Sequence, residues 1–219
     1  MARVLSENSR AGNAERLAQA LIERRSGKRQ MIAIAGAPGS GKSTLAHDAA
    51  EALAARGVSA AVIPMDGFHY DDAVLAELKL SDRKGAPETF DFEGFECLLK
   101  RLASAQAAVA IPLFDRSMEL SRAAAALVHP ETEMLLVEGN YLHLDEEPWR
   151  RLSTLFDLRI FLDVSLEELE RRLNARWADH GREAEAALRW VQDNDLPNAR
   201  RVINHRLPAD LVLGGNFTN

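Results

Sequence analysis

The sequence predicts an α/β protein: a parallel sheet with helices on both faces. Three observations predict it. Short apolar runs such as Met31-Ile32-Ala33-Ile34-Ala35 and Met134-Leu135-Leu136-Val137 are bounded by turn residues and read as strands buried on both faces. Helical patterns lie between these runs, and strand–helix alternation favours parallel pairing. A glycine-rich loop at 36–43 joins the first strand to the helix after it.

Each element follows from local pattern. Ala14, Leu17, Ala18 and Leu21 recur at helical spacing and predict an amphipathic helix over 13–25. The first strand is expected over 30–35, then a helix from Ser43 to Arg56 that Gly57 ends. Val58 to Met65 reads as the second strand. Between 71 and 93 only a short helix near 72–78 stands out. Gly94 to Ala105 is expected to be helical, with Cys97 buried on its face. Val109 to Phe114, Glu133 to Glu138 and Phe156 to Asp163 are expected as the third, fourth and fifth strands. Helices are expected over about 165–178 and 183–193 and near 195–203, with an edge strand at Leu211-Val212-Leu213. The expectation is one domain over 1–219, carrying a functional insert at 66–93 and a helical lid at about 165–193.

Composition excludes several classes. The 219 residues are 47% hydrophobic and 27% charged, an ordinary globular balance. A net charge of −6 disfavours nucleic acid and anionic membrane as partners. One cysteine allows no internal disulfide, and the start of the sequence has no signal-peptide run; a cytoplasmic location is expected. A homodimer is left open.

Gly36-Ala37-Pro38-Gly39-Ser40-Gly41-Lys42-Ser43, with Thr44 next, satisfies the P-loop pattern. Glycines let the backbone turn its N–H groups toward phosphate oxygens, and the helix start adds its positive end. Lys42 is then expected to reach the β- and γ-phosphates of ATP, and Ser43 to ligate Mg²⁺.

The ends of the other strands select among P-loop chemistries. Asp66 closes the second strand, where a carboxylate can aim a hydroxyl at the γ-phosphate; the plainer alternative is an Asp-Gly turn. Glu138 closes the fourth strand in the Walker B position and is expected to hold Mg²⁺ or the substrate; it could instead cap a turn. Arg172 and Arg176 lie four apart on the lid helix and could stabilise transferring charge, or form a solvated face with Arg172 paired to Glu168. Arg116 ends the third strand and is expected to face the same crevice; pairing with Asp115 or Glu119 is the alternative. His69 is expected to line the acceptor pocket. Arg83 and Lys84 are either substrate contacts or a solvated loop. Phe90 and Tyr141 could stack on a sugar or base, though Phe90 by default packs the core. Trp149, Trp177 and Trp190 read as helix packing. His47, His129, His143, His180 and His205 show no metal-ligand spacing and read as structural or surface residues.

Together these strings resemble the uridine kinase, pantothenate kinase and phosphoribulokinase superfamily, and within it the bacterial fructokinase or fructose transport system kinase group. The matching strings are Met65-Asp66-Gly67-Phe68-His69, the segment from Arg83 to Asp91, Phe114-Asp115-Arg116, the segment from Val137 to Leu142, and the segment from Asn194 to Arg200. The resemblance implies an adenylate-kinase-like strand order, ATP with Mg²⁺, and Asp66 as base. It also implies substrate contacts from 83–91 and Arg116, a lid around Arg172 and Arg176, and Asn198 and Arg200 near adenine. Gly67-Phe68-His69 departs from the Ser-Phe-Tyr of uridine kinases, and pantothenate kinases are longer chains. The expected function is phosphorylation of a small metabolite, a sugar such as fructose, ahead of pantothenate or a nucleoside. A regulatory ATPase is the distant alternative; no Asn-Lys-x-Asp or Leu-Ser-Gly-Gly string occurs to support it.

Overall fold

The computed structural model describes residues 9–104, 106–179, 181 and 183–214. Its main sheet contains β1 (Gln30–Gly36), β2 (Ala60–Pro64), β5 (Met134–Gly139), β6 (Leu158–Asp163) and β7 (Leu211–Gly214), ordered β2-β5-β1-β6-β7. Every pairing in it is parallel. The strand order is that of the adenylate-kinase-like folds. β5 is buried at every position and β1 at all but its first, as the unbroken apolar runs require.

Helices cover both sides of the sheet. α1 (Arg10–Glu23) starts at Ser9, whose Oγ accepts a hydrogen bond from the Gly12 N–H at 3.0 Å. It packs against α2 (Lys42–Ala54), which lies over β1, β2 and β5. α3 (Asp72–Leu78) is the short helix of the insert. α4 (Phe92–Ala103) buries Phe92, Phe95, Leu98, Leu99 and Leu102, a stripe at helical spacing. Cys97 falls off that stripe and is exposed, which corrects the buried placement expected for it.

The third expected strand is present but lies outside the main sheet. β3 (Val109–Asp115) pairs antiparallel with β4 (Leu120–Val128) in a separate two-stranded sheet. β4 had no sequence signal. Its centre, Arg122-Ala123-Ala124-Ala125-Ala126, is poor in strand-forming residues, and Ala124 sits at φ +52°, near the register shift that breaks the ladder.

α5 (Leu166–Asp179) and α6 (Ala184–Trp190) form the expected helical pair. From α6 the chain continues through a π-helical turn, Val191–Asp195, into α7 (Leu196–Asn204). Pro197 supplies the reason: it has no N–H to give, and its ring would press on the carbonyl four residues earlier. His180 lies outside the described residues. Among the described residues no helix is long and apolar enough to cross a membrane.

Candidate active site

The glycine loop runs from the end of β1 into α2. Gly39 (φ +79°) and Gly41 (φ +92°) take left-handed conformations that only glycine adopts freely. A Cβ on Gly39 would stand 3.1 Å from Leu173 Cγ, so α5 is seated directly on the loop. Arg172 reinforces that contact: its Nη1 donates to the Ser40 carbonyl at 3.1 Å and its Nε to Glu168 at 2.6 Å. The Glu168 pairing that was the alternative for Arg172 is therefore present, and Arg172 grips the loop backbone.

Lys42 is buried beneath the loop. Burial pulls its ammonium below the ordinary lysine range, and Glu138 and Asp66 work in the opposite direction. Ser43 Oγ donates to Glu138 Oε2 at 3.0 Å. Glu138 is 4% exposed, and burial pushes its carboxyl up to about 7 against the pull of Lys42.

Asp66 sits in a 3-10 turn, Met65–Phe68, immediately after β2. The turn is pinned from outside. A Cβ on Gly67 would lie 2.5 Å from the Pro112 carbonyl, so β3 presses on the turn and only glycine fits there. The hairpin then delivers Arg116, whose Nη2 donates to Asp66 Oδ2 at 2.6 Å. Arg116 thus reaches the crevice as expected, but from the separate hairpin. Burial raises the Asp66 carboxyl, yet His69 when protonated and the charges of Lys42, Arg116 and Arg176 hold it below its ordinary range, so it is ionised at neutral pH. His69 lies with its ring 4.0 Å from Phe90 and 5.2 Å from Phe114. Burial pulls it down to about 4, and it is neutral at pH 7.

A cavity opens beside this group. Pro38 of the loop, Asp66, His69 and Asn140 border it on the strand side. Lys84, Phe114, Arg116 and Glu119 border it from the insert and hairpin. Lys84 Nζ also bonds Asp72 at 2.8 Å and approaches Glu119 at 3.4 Å. Arg176, Trp177, Trp190, Asp195 and Asn198 complete the wall from α5, α6, the π turn and α7.

The structure thus gathers Lys42, Ser43, Asp66, His69, Lys84, Arg116, Glu138 and Arg176 in one region. Three predicted residues lie elsewhere. Arg83 bonds Glu88 at 3.0 Å and does not border the cavity. Phe90 and Tyr141 are buried in an aromatic cluster with Trp149, behind the cavity wall, and the Tyr141 hydroxyl donates to the Gly85 carbonyl at 2.6 Å. Neither borders the cavity beside Asp66. Asn198 borders this cavity, and Arg200 is exposed. Sequence reasoning missed Asn140, Glu119 and Asp195, and took Trp177 and Trp190 for packing alone. Their rings do pack edge to face, 6.2 Å apart, but they also border the cavity. The Asn194-to-Arg200 string was the available signal.

A glycine loop of this form and an ionised carboxylate opening onto one cavity define the class, that of the P-loop kinases. The chain belongs to the phosphoribulokinase/uridine kinase family, whose model matches residues 31–213. It is an ATP-dependent kinase that transfers a phosphoryl group to a hydroxyl. A candidate uridine kinase of Schizosaccharomyces pombe, C227.14, is 34% identical over 198 residues, covering 85% of this chain and 83% of that protein. The crystal structure of a candidate fructose transport system kinase from Silicibacter sp. TM1040 is 48% identical, with a TM-score of 0.85, covering 91% of this chain and 98% of that one. A pantothenate kinase of Enterococcus faecalis is 32% identical over 145 residues, covering 64% of this chain and 47% of that protein.

Proposed function

We propose that the protein phosphorylates a hydroxyl of a sugar, a ketose such as fructose being the foremost candidate. The observation that carries this is the placement of ionised Asp66, with Lys42 among its electrostatic neighbours, on the wall of a cavity lined by further polar and aromatic residues. The loop at 36–44 would hold the triphosphate through its N–H groups and Lys42. Asp66 would accept a hydrogen bond from the acceptor hydroxyl and aim its oxygen at the γ-phosphorus. As the new O–P bond forms, the bond to the bridging oxygen breaks and ADP leaves. The hydroxyl proton passes to Asp66 and then to solvent. An Asp held below the ordinary carboxylate range is a weak base, so orientation is its larger contribution. Arg116 and Arg176, near Asp66, would stabilise charge on the transferring group; Arg172 would act through the loop it grips.

Ser43 and Glu138 fit Mg²⁺. They already share a hydrogen bond, and Glu138 is a buried carboxyl whose charge lacks sufficient compensation. Magnesium ordinarily takes few protein ligands and completes its shell with phosphate oxygens and water. Bound there, it would neutralise charge on the phosphates.

The similarity to the candidate fructose transport system kinase supports the sugar reading. A pantothenate-type acceptor is the second reading, and the cations Lys84, Arg116 and Arg176 on the cavity favour its carboxylate. In either case the whole chain acts as one kinase unit in the cytoplasm, with 66–93 as acceptor insert and about 165–193 as lid; a homodimer is compatible with it. The test is ADP release from ATP in the presence of fructose, other sugars, pantothenate, uridine or cytidine. Turnover with pantothenate or a nucleoside and with no sugar would overturn the sugar assignment.

A further inference from the structure

Asp195 and Trp177 form a joined pair on the cavity wall supplied by the lid and α7. Trp177 Nε1 donates to Asp195 Oδ2 at 2.7 Å, and both residues border the cavity. The pair is held in place from several directions. Asp195 ends the π turn that Pro197 forces on the helix, and such widened turns re-aim side chains. Asn194, one residue earlier, donates from Nδ2 to the Lys84 carbonyl at 2.8 Å and accepts from Asn198 at 3.3 Å. The turn is thereby tied to the insert. Trp190 packs edge to face on Trp177, and the Arg176 guanidinium stands 5.8 Å from the centroid of the same indole. A site locked by this many contacts is preorganised.

The chemistry of this wall is selective. A carboxylate and the amides of Asn140 and Asn198 accept hydrogen bonds from hydroxyl groups. An indole offers a flat apolar face to the carbons between those hydroxyls. The same carboxylate, with Glu119 on the same cavity, repels an anionic group. Each cation on the cavity faces a carboxylate of the protein: Arg116 bonds Asp66, Lys84 meets Asp72 and Glu119, and Arg176 has Asp66 and Asp195 as electrostatic neighbours.

From this we infer that Asp195 is a specificity-determining residue. It accepts a hydroxyl hydrogen of a neutral polyhydroxylated acceptor, at a position remote from the hydroxyl that is phosphorylated, while Trp177 packs on the acceptor's carbon face. The inference rests on the sugar-kinase reading and adds the residue that selects for it.

The test combines two readouts on the full chain. Tryptophan fluorescence is titrated, without nucleotide, with fructose, other ketoses, neutral polyols, glycerate, pantothenate and uridine. Steady-state ADP release is measured with the same compounds for the wild type, Asp195→Asn and Trp177→Phe. A neutral sugar or polyol is expected to change the fluorescence saturably and to be phosphorylated. Asp195→Asn, whose amide oxygen can still accept from Trp177, is expected to raise KM for that acceptor about 10- to 100-fold. KM for ATP and kcat should move by only a few-fold, with Tm retained. Trp177→Phe should raise the same KM and remove most of the fluorescence change. Phosphorylation of a sugar with KM unchanged in Asp195→Asn would overturn this inference and leave the functional reading standing. So would losses of kcat and Tm together without a KM effect, which mark a structural residue. Phosphorylation of glycerate, pantothenate or uridine with no neutral sugar or polyol accepted would overturn both.

Discussion

Arg116 Nη2 lies 2.6 Å from Asp66 Oδ2, so the β3–β4 hairpin closes an ion pair over the carboxylate that ends the second strand. The arginine side chain is 47% exposed and the aspartate 18%. An ion pair with that much solvent contact is worth little, about 1 kcal/mol or less. An incoming hydroxyl can therefore take a place on Asp66 at small cost, and the guanidinium is left beside the oxygens of the transferring group. Asp66 thus keeps its charge before the acceptor arrives without being blocked by the residue that preserves it.

Replacing Asp66 by Asn tests this directly. The amide keeps the shape but loses the charge that draws in and orients the hydroxyl. We expect kcat to fall by about 10²- to 10⁴-fold while ATP still binds. Steady-state ADP release and a nucleotide titration measure the two effects. An unchanged kcat would remove Asp66 from the chemistry.

Lys42→Ala removes a buried cation whose nearest electrostatic neighbours are Glu138 and Asp66. Transfer should be abolished and ATP affinity weakened, as read by the same two measurements. A variant with full activity would exclude the loop at 36–44 as the phosphate cradle.

Gly39→Ala probes the seat of α5 on the glycine loop. The residue is at φ +79°, and its Cβ would press on Leu173 at 3.1 Å. The left-handed backbone alone costs a non-glycine residue about 1–2 kcal/mol. We expect Tm to drop by several degrees and nucleotide affinity to fall with it. A thermal melt and a nucleotide titration check this, and wild-type values in both would show that loop and helix are not mechanically joined.

His143 predicts a pH dependence of stability. It is 2% exposed, beside Phe161 and facing Arg159, Arg206 and Asp210. Burial, reinforced by the two arginines, pulls it from 6.5 to about 4. Between those values the unfolded chain binds a proton that the native chain refuses, so stability falls as pH falls from 6.5 toward 4. Going from pH 7 to pH 5, the wild type should lose about 2 kcal/mol more than His143→Gln. Urea unfolding at both pH values measures the difference. Equal losses would show that His143 does not titrate on unfolding.

Much of this protein was legible in local pattern. The glycine loop, Lys42 and the carboxylates closing two strands follow from turn chemistry and apolar runs, because a sheet buried on both faces writes itself as unbroken hydrophobic segments. Asp66 and Glu138 could be placed for the same reason: a residue that ends a buried strand has one place to go, the sheet's C-terminal edge. Composition and spacing fixed these without reference to the rest of the chain. What only the tertiary structure decided is the rest of the cavity wall. Arg116 arrives on a hairpin whose second strand is a run of alanines with no period to detect. Trp177, Asp195 and Asn198 belong to helices whose pattern records what is buried, not which partly open face meets the site. Phe90 and Tyr141 fell behind the wall because neighbouring aromatics claimed them. Local periodicity encodes burial, whereas a binding site is set by how separate elements dock, and that depends on contacts between residues far apart in the chain.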